Sequence, residues 1–254
     1  MAFSGAFRPP FAKTFDAGLA AAGNGLLNNL IAYWPLNEAS GANNALDAHT
    51  NGLTLTQVSS PGSAAGIVYA GARTFNGSSQ YFSRASESLL NIGDINFCIA
   101  AWIFMTAKPV GKAVPFITKW VSGGGQRSFV LQYDQPTDRF WAILSADGIN
   151  STVLQANVLG SPAINTWYLL TVSYDTVSNQ VEFTVNGSLD STTHHAGVFI
   201  STAPLAAGLV NYGSIYYGLG RVGPVAFWKN RTLNAADRTA LYNAGAGLAY
   251  SAFS

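Results

Sequence analysis

The chain has 254 residues and a formal net charge of +1. It contains no cluster of Lys and Arg of the kind that tracks a phosphate backbone, which argues against nucleic acid as a partner, and no apolar run is long enough to cross a bilayer. Charged residues make up only 10% of the sequence, although 48% is hydrophobic, and an ordinary soluble domain has about 25% charged residues.

The low charge has two explanations that the sequence leaves open. The surface is either that of a β-protein covered by Ser, Thr, Asn and Gly, or it is partly covered by neighbouring subunits, because the cores of protein interfaces are depleted in charged residues. The second explanation predicts a homo-oligomer or a larger assembly.

Residues 1–29 are rich in Ala, Gly and Asn and form a predicted N-terminal extended arm. Its phenylalanines recur at every fourth position, at Phe3, Phe7, Phe11 and Phe15. This spacing places the rings on one side of an extended segment, and Pro9 and Pro10 argue against a continuous helix. The rings need a surface that buries them, and we favour a neighbouring molecule over the arm's own domain.

The same N-terminal segment lacks the uninterrupted apolar core of a secretory signal, because Arg8, Pro9, Pro10 and Lys13 interrupt it. We therefore expect the protein to be made in the cytoplasm.

From residue 30 to residue 254 the sequence becomes a series of short β-like runs separated by turn residues, which is typical of a sandwich or barrel. The predicted strands are Ile31–Leu36, Leu53–Gln57, Gln80–Arg84, Asn96–Met105, Val114–Trp120, Ser128–Tyr133, Arg139–Leu144, Ser151–Ala156, Trp167–Tyr174, Gln180–Val185 and Val225–Trp228. All-β chains of this length commonly form one domain, so we predict one all-β, antiparallel sandwich over residues 30–254.

Two Asn-Gly pairs, Asn76–Gly77 and Asn186–Gly187, have the composition of a type I′ hairpin turn, whose central residues both need a positive φ. Before the second pair, apolar residues at 181, 183 and 185 alternate with polar residues. This alternation indicates a strand with one buried and one solvated face. The composition thus indicates a hairpin turn at both pairs, and the alternation makes the second the convincing one.

The run from Phe97 to Met105 does not alternate, so both faces of its strand are apolar. One face of an antiparallel sandwich normally meets water. The outer face of this strand, either Trp102 and Phe104 or Ile103 and Met105, must then be covered by a loop or by another chain. Cys98, the one cysteine of the sequence, is expected to be a small buried hydrophobe in this run.

One short helix is predicted near the C-terminus. Asn234 has the character of an N-cap before residues 235–242, and Gly245 and Gly247 follow the predicted helix. Asp237 in the first turn suits the helix dipole.

Three sets of segments, in this order, resemble the laminin-G-like jelly-roll domains of the concanavalin A-like lectin/glucanase superfamily. They are residues 32–38 with 46–47 and 51–55, residues 72–81 leading into 97–103, and residues 167–175 with 185–187, 221–228 and 241–245. The resemblance implies a jelly-roll β-sandwich. It does not imply one function, because this fold carries lectins, glycosidases, adhesion modules and virion proteins alike.

Glycosidases on this fold need two closely placed carboxylates, one acid and one nucleophile or base. The three glutamates, Glu38, Glu87 and Glu182, lie on separate predicted elements, and no strand is similar to the family's Glu-x-Asp-x-x-Glu pattern. We therefore predict no catalytic residues and no enzymatic activity.

The histidines do not suggest a metal site or a catalytic triad. His194 and His195 are neighbours on a predicted strand and so point to opposite faces, and His49 is the one other histidine. Neither zinc nor a Ser-His-Asp arrangement is indicated by three such residues.

Calcium is the remaining metal to consider, because many relatives hold it with loop oxygens. The oxygen donors available for it are Asp47, Asn51, Asp134 and Asp138. The acidic residue that many relatives carry in the strand similar to residues 221–225 is missing here. Turn capping by Asp and Asn is the simpler account, and no cofactor is predicted.

Sugar binding would use exposed aromatic rings that stack on pyranose faces beside amide and hydroxyl groups. The candidates for glycan contact are Trp120, Tyr212, Tyr216 and Tyr217.

Two main hypotheses on function follow. The aromatic arm and the low charge favour a non-enzymatic structural virion protein, such as a capsid decoration or cement protein or a tail-associated component of a tailed phage, with other virion proteins as partners. A carbohydrate-binding or adhesion module explains the fold but leaves the arm unexplained. A glycosidase is the third and weakest hypothesis.

Overall fold

The computed structural model describes residues 25–41, 43–194 and 197–254. The four phenylalanines of the predicted arm and His195 lie outside the described residues. The strands, in chain order, are β1 (Leu30–Trp34), β2 (Thr56–Val58), β3 (Gly62–Ala65), β4 (Gly71–Asn76), β5 (Tyr81–Arg84), β6 (Phe97–Phe104), β7 (Ala113–Val121), β8 (Gln126–Asp134), β9 (Arg139–Leu144), β10 (Thr152–Gln155), β11 (Trp167–Asp175), β12 (Gln180–Val185), β13 (Ser188–Thr193), β14 (Leu205–Ala207), β15 (Leu209–Asn211), β16 (Ile215–Tyr217) and β17 (Leu219–Lys229). The α-helix is α1 (Ala235–Tyr242), and short 3₁₀ turns occupy Ser88–Leu90, Asn243–Gly245 and Tyr250–Ala252.

In the described ranges these strands form two sheets. The first, of eight strands, has the order β13-β12-β11-β6-β17-β4-β3, with β1 also paired to β17. The second, of nine strands, has the order β10-β9-β8-β7-β14-β5-β2, with the β15–β16 hairpin joined to β7. Pairing is antiparallel except for one parallel bridge, between Asn211 of β15 and Val121 of β7. No described helix is long and apolar enough to cross a membrane.

The main core lies between the two sheets. Each strand sends alternate side chains inward, so β6 contributes Ile99 and Ile103 and β8 contributes Phe129 and Leu131. Trp34 of β1 is fully buried there, and its indole N–H donates to the carbonyl of Leu53 at 2.6 Å. These observations confirm the predicted antiparallel jelly-roll sandwich with one short C-terminal helix.

The predicted helix is confirmed with its bounds. The side chain of Asn234 accepts the backbone N–H of Asp237, and the Asp237 carboxylate accepts the backbone N–H of Asn234. This reciprocal capping box satisfies two backbone donors that the start of a helix otherwise leaves unpaired. Asn243, in the left-handed conformation, ends the helix.

The two Asn-Gly pairs behave differently. Asn186 and Gly187 both have positive φ, at 50° and 88°, and connect β12 to β13 as predicted. The predicted hairpin at Asn76–Gly77 is wrong, because β4 and β5 belong to different sheets and only Gly77 has a positive φ. The Asn76 side chain instead accepts backbone N–H groups of residues 78 to 80, which turns the chain between the sheets.

The strand with two apolar faces is covered by a segment of its own chain. Cys98, Ala100 and Trp102 form the outer face of β6 and pack against the C-terminal cover, which we define as residues 233–253. Trp102 stacks on Tyr242 with a centroid distance of 5.9 Å. Of the two predicted kinds of cover, the described structure therefore shows the intramolecular one.

Two further expectations concern buried residues at this face. Cys98 is fully buried as predicted, and burial raises the pKa of its thiol to about 12. Leu26, which falls in the last part of the predicted arm, is fully buried, and its carbonyl accepts the indole N–H of Trp228 at 2.8 Å. Residues 25–29 therefore pack on the sandwich.

Candidate functional site

The outer face of the nine-stranded sheet carries a second group of aromatic residues. Val130 and Ile143 point outward from β8 and β9. They are buried beneath the aromatic residues, together with Val210 of β15. Trp141, Tyr212 and Tyr216 pack on this group and stay partly exposed. The result is an aromatic surface outside the main core.

A cavity of about 440 Å³ opens on this face. We call it the first cavity. Its floor is formed by side chains of β7 to β10, and Tyr212 and Tyr216 of the β15–β16 hairpin form one wall. Its volume falls in the range of roughly 300–1,000 Å³ that is usual for small-molecule sites.

The structure brings three of the four predicted glycan-contact residues into the first cavity: Trp120, Tyr212 and Tyr216. The rings of Trp120 and Tyr212 meet edge to face at 6.0 Å, as do those of Tyr212 and Tyr216. Trp120 is only 4% exposed. Its ring therefore packs beneath the cavity and is not exposed for stacking on a ligand.

The fourth predicted residue, Tyr217, lines a neighbouring cavity of about 380 Å³, which we call the second cavity. Tyr216, Lys112 and Ala113 line both cavities. The two cavities thus share one wall.

Trp141 is the aromatic residue of this site that the sequence analysis missed. It points outward from β9 between Arg139 and Ile143, while Phe140, Ala142 and Leu144 point into the core. The strand had been predicted, but residues 140–144 are all apolar, so their pattern does not distinguish the inner face of the strand from the outer one. The sequence also contained no sign that the described segments would leave this outer face open.

Polar groups of the first cavity are held in fixed orientations. The phenol of Tyr212 donates to the Gln132 side-chain oxygen at 2.7 Å. Burial, with a smaller contribution from the Asp134 carboxylate, raises the pKa of Tyr212, so that this phenol stays protonated at neutral pH. The indole N–H of Trp141 donates to the Thr137 hydroxyl at 2.9 Å, which fixes its ring.

Charged groups lie at the margins of the first cavity. The guanidinium of Arg127 lies 5.7 Å from the centroid of the Trp120 ring, a cation–π geometry. Lys112 and Asp134 also line the cavity, and Asp134 accepts the backbone N–H and the hydroxyl of Thr137. The site therefore combines aromatic ring faces with positively charged hydrogen-bond donors and a negatively charged acceptor.

The floor strand is anchored from the interior by a lysine. Lys119, next to Trp120 on β7, is fully buried, and its ammonium donates to Ser86 Oγ at 2.8 Å and to the carbonyls of Ser201 and Ala203 at 2.8 and 2.5 Å. Burial lowers the pKa of Lys119 to about 8. Two of these bonds attach β7 to the loop that precedes β14, and the bond to Ser86 attaches it to the segment that follows β5.

The glutamates that were considered for catalysis have separate partners. Glu38 accepts the backbone N–H of Leu46, Glu87 pairs with Arg84, and Glu182 pairs with Arg238 of α1 at 2.7 Å. None of the three lines either cavity of the aromatic face. The structure therefore does not bring them to this site.

The candidate calcium ligands are occupied by other bonds. Asp47 accepts three backbone N–H groups and Asn51 donates to the Ile31 carbonyl. Asp138, although partly desolvated, is bonded to Lys108, Ser161 and Tyr133, which lower its pKa to about 2. Within the described ranges, no three His, Cys, Asp or Glu residues cluster as metal ligands would.

The ring nitrogens of the two described histidines also contact neighbouring groups of the fold. His194 Nδ1 lies 2.9 Å from the Thr152 hydroxyl and Nε2 lies 2.6 Å from the Gly197 carbonyl. His49 Nδ1 lies 3.0 Å from the Tyr250 hydroxyl, at the edge of the C-terminal cover.

Comparison with solved structures finds similar folds in binding domains. The binding domain of Paraclostridial Mosquitocidal Protein 1 aligns with a TM-score of 0.63 and 12% identity, over 85% of this chain and 52% of that one. The botulinum neurotoxin serotype G binding domain gives 0.61 and 16%, over 85% and 51%. The chain thus spans about half the length of these toxin domains.

A third similar structure is matched almost over its whole length. It is domain 4 of AbnA, a GH43 extracellular arabinanase from Geobacillus stearothermophilus, in complex with arabinotriose, with a TM-score of 0.59 and 15% identity over 83% of this chain and 97% of that one. At these identities the likeness concerns the fold. A search among curated proteins finds no match.

The family is shown by the sequence itself. A model of laminin G domains, described as belonging to the concanavalin A-like lectin/glucanases superfamily, matches residues 76–237, which is more than half of the chain. The chain belongs to this laminin G family of the concanavalin A-like lectin/glucanase superfamily.

Proposed function

We propose that the protein is a non-enzymatic glycan-binding module and that the first cavity is its binding site. The observation that carries the proposal is the meeting of Trp141, Tyr212 and Tyr216, all partly exposed, around one cavity on a sheet face that none of the described segments covers. A pyranose ring has an apolar face of C–H groups that packs on an aromatic ring. Its hydroxyls need donors and acceptors at the margin, which Arg127, Lys112 and Asp134 supply here.

The fixed geometry of the cavity supports the same proposal. Trp141 and Tyr212 are each held by a hydrogen bond to a neighbouring side chain. A ligand therefore finds these rings already ordered, and preorganised groups lose little conformational entropy on binding. The similar arabinanase domain was crystallised with arabinotriose, which makes a sugar a reasonable class of ligand for this chain.

The non-enzymatic part of the proposal rests on the glutamates. Hydrolysis of a glycosidic bond requires a carboxylic acid and a second carboxylate on the two sides of that bond. The first cavity contains the carboxylate of Asp134, and the three glutamates lie elsewhere with their own partners. The similarity to toxin binding domains agrees with a binding role.

A glycan array tests the proposal. The full-length protein, the variant Trp141→Ala and the control variant Val177→Ala, which alters a side chain that is 90% exposed and outside the cavity, are applied to the same array. We expect wild type and Val177→Ala to bind a common set of glycans and Trp141→Ala to lose them. Absence of binding by the wild type, or equal binding by Trp141→Ala, contradicts the proposal.

A structural role in a virion is the second candidate function. It is supported by the four-residue spacing of the phenylalanines from Phe3 to Phe15 and by the 10% content of charged residues. In this candidate the protein is made in the host cytoplasm and joins a tailed phage capsid or tail, with other virion proteins or its own copies as partners. Glycan binding at the first cavity is compatible with such a role.

Deletion of residues 1–24 tests this second candidate. The deletion stops before Leu26, because that residue is buried in the sandwich. We expect the truncated protein to fold, to keep its glycan binding and to be absent from particles that contain the full-length protein. Normal incorporation of the truncated protein rules out the arm as the anchor.

A further inference from the structure

The two cavities of the aromatic face lie side by side. Three residues, Lys112, Ala113 and Tyr216, line both of them. Tyr216 has Tyr212 of the first cavity at a centroid distance of 6.0 Å, and Tyr217 next to it lines the second cavity. A ligand that occupied both cavities would therefore pass over their shared wall, at Tyr216.

The second cavity has the same chemical character as the first. Tyr217 supplies an aromatic ring that is partly exposed, and Ser78 and Ser214 supply hydroxyl groups. The ring of Tyr217 is 6.2 Å from that of Tyr81, so it is supported from one side. Each cavity thus offers an aromatic face together with polar groups.

Lys112 stands where the cavities join, and it is the one charged residue that lines both. In the part of the chain that the structure describes, it takes part in no ion pair. An ammonium group has three donors and no acceptor. Its complement in a ligand is an acceptor oxygen at the junction of the two cavities, such as the oxygen between two linked sugars or a hydroxyl beside it.

We propose that the two adjoining cavities act as one groove that binds a linear oligosaccharide across two subsites, one in each cavity, instead of a single terminal sugar. The inference rests on the proposed function of the first cavity and adds the class of ligand. When one sugar unit is bound in the first cavity, a unit linked to it can bind in the second cavity without a separate association step. The affinity should therefore rise with the length of the oligosaccharide.

The test uses oligosaccharide ladders of one to six units made of glucose, galactose, arabinose and N-acetylglucosamine. Calorimetric titration of the full-length protein gives Kd for each length. In the ladder that binds, we expect Kd to fall at least about tenfold from the shortest bound sugar to the longest, which corresponds to about 1.4 kcal/mol.

Two variants of one residue identify the second subsite. Tyr217→Ala should leave Kd for the shortest sugar unchanged. It should reduce the increase in affinity from the shortest to the longest sugar to less than about threefold. Tyr217→Phe keeps the ring and should keep the full increase. Thermal unfolding of both variants verifies that they are folded.

The outcomes separate the two levels of the proposal. Binding of no ladder and of no glycan on the array by the wild type overturns the proposed function, and the inference with it. Binding of glycans on the array without binding of any ladder overturns the inference alone. Two results overturn the two-subsite groove and leave the proposed function intact. One is binding of short sugars with no increase in affinity for longer ones, and the other is a full increase in affinity with length in Tyr217→Ala.

Discussion

The outer faces of the two sheets carry similar residues and have opposite environments. On the eight-stranded sheet, Trp102 and Trp228 are covered by the C-terminal cover, where Trp102 stacks on Tyr242 and Trp228 on Phe253. On the nine-stranded sheet, Trp141 and Tyr216 are covered by no described segment and line an open cavity. Aromatic content alone therefore does not single out a face, and the difference in cover among the described residues is the reason why we propose the nine-stranded sheet as the binding face.

The largest expected effect of a substitution lies on the covered face. Trp228→Ala removes a fully buried indole together with its hydrogen bond to the Leu26 carbonyl. We expect it to lower the free energy of unfolding by about 3–5 kcal/mol, as usual for loss of a buried Trp. Urea unfolding measures this change. A loss below about 1 kcal/mol would show that the C-terminal cover is only loosely packed on this face.

The corresponding substitution on the open face should separate binding from stability. Trp141→Ala removes a half-buried ring that contacts the first cavity. We expect glycan affinity to fall by about 2 kcal/mol, roughly 30-fold, while the free energy of unfolding changes by less than about 1 kcal/mol. Calorimetric titration and urea unfolding of one preparation give both values. A large loss of stability would instead make Trp141 a core residue.

A pH experiment examines the strand that joins the open face to the interior. Because burial lowers the pKa of Lys119 to about 8, the unfolded state binds the additional proton between about pH 8 and the usual lysine pKa of about 10.4. Stability should therefore rise with pH over the lower part of this window, by at most about 1.4 kcal/mol per pH unit. The rise begins where the folded lysine loses its proton.

The control for this experiment is Lys119→Met, which keeps the length of the side chain and removes the titrating group. Urea unfolding at pH 7.5, 8.5 and 9.5 should show the rise in the wild type and not in the variant. An equal rise in both proteins assigns the pH dependence to other groups.

The smallest expected effect concerns the cap of the helix in the C-terminal cover. Asn234→Ala removes one half of the capping box of α1 and should lower the free energy of unfolding by about 1 kcal/mol. Glycan affinity should stay unchanged, because the helix packs on the opposite sheet. Reduced affinity in Asn234→Ala would show that the two faces are coupled.

Much of the fold could be predicted because its signals are local. The alternation before Asn186–Gly187 and the N-cap signal at Asn234 each depend on a few neighbouring residues, and both predictions are confirmed. Asn76–Gly77 has the same composition as the confirmed turn. Its prediction is wrong because the choice between a hairpin and a crossing to the other sheet depends on how distant strands pair.

The residue types of the candidate site could be predicted from the sequence. The contacts that bring these residues together could not. Tyr212 and Tyr216 reach the first cavity because the β15–β16 hairpin folds along β7, held by the bridge from Asn211 to Val121 and by the Thr118 hydroxyl, which donates to the Leu209 carbonyl at 2.5 Å. These are contacts between segments about 90 residues apart in sequence. Trp141 was missed because the sequence did not show which sheet face its own C-terminus covers.

The most direct measurement compares the indole N–H signals of the six tryptophans by NMR during titration with the glycan that binds most strongly on the array. We expect the signal of Trp141 to shift most and that of Trp120 to shift less, whereas those of Trp102 and Trp228 stay in place. Saturable binding with the largest shifts at Trp102 or Trp228, or with no shift at Trp141, would contradict this expectation.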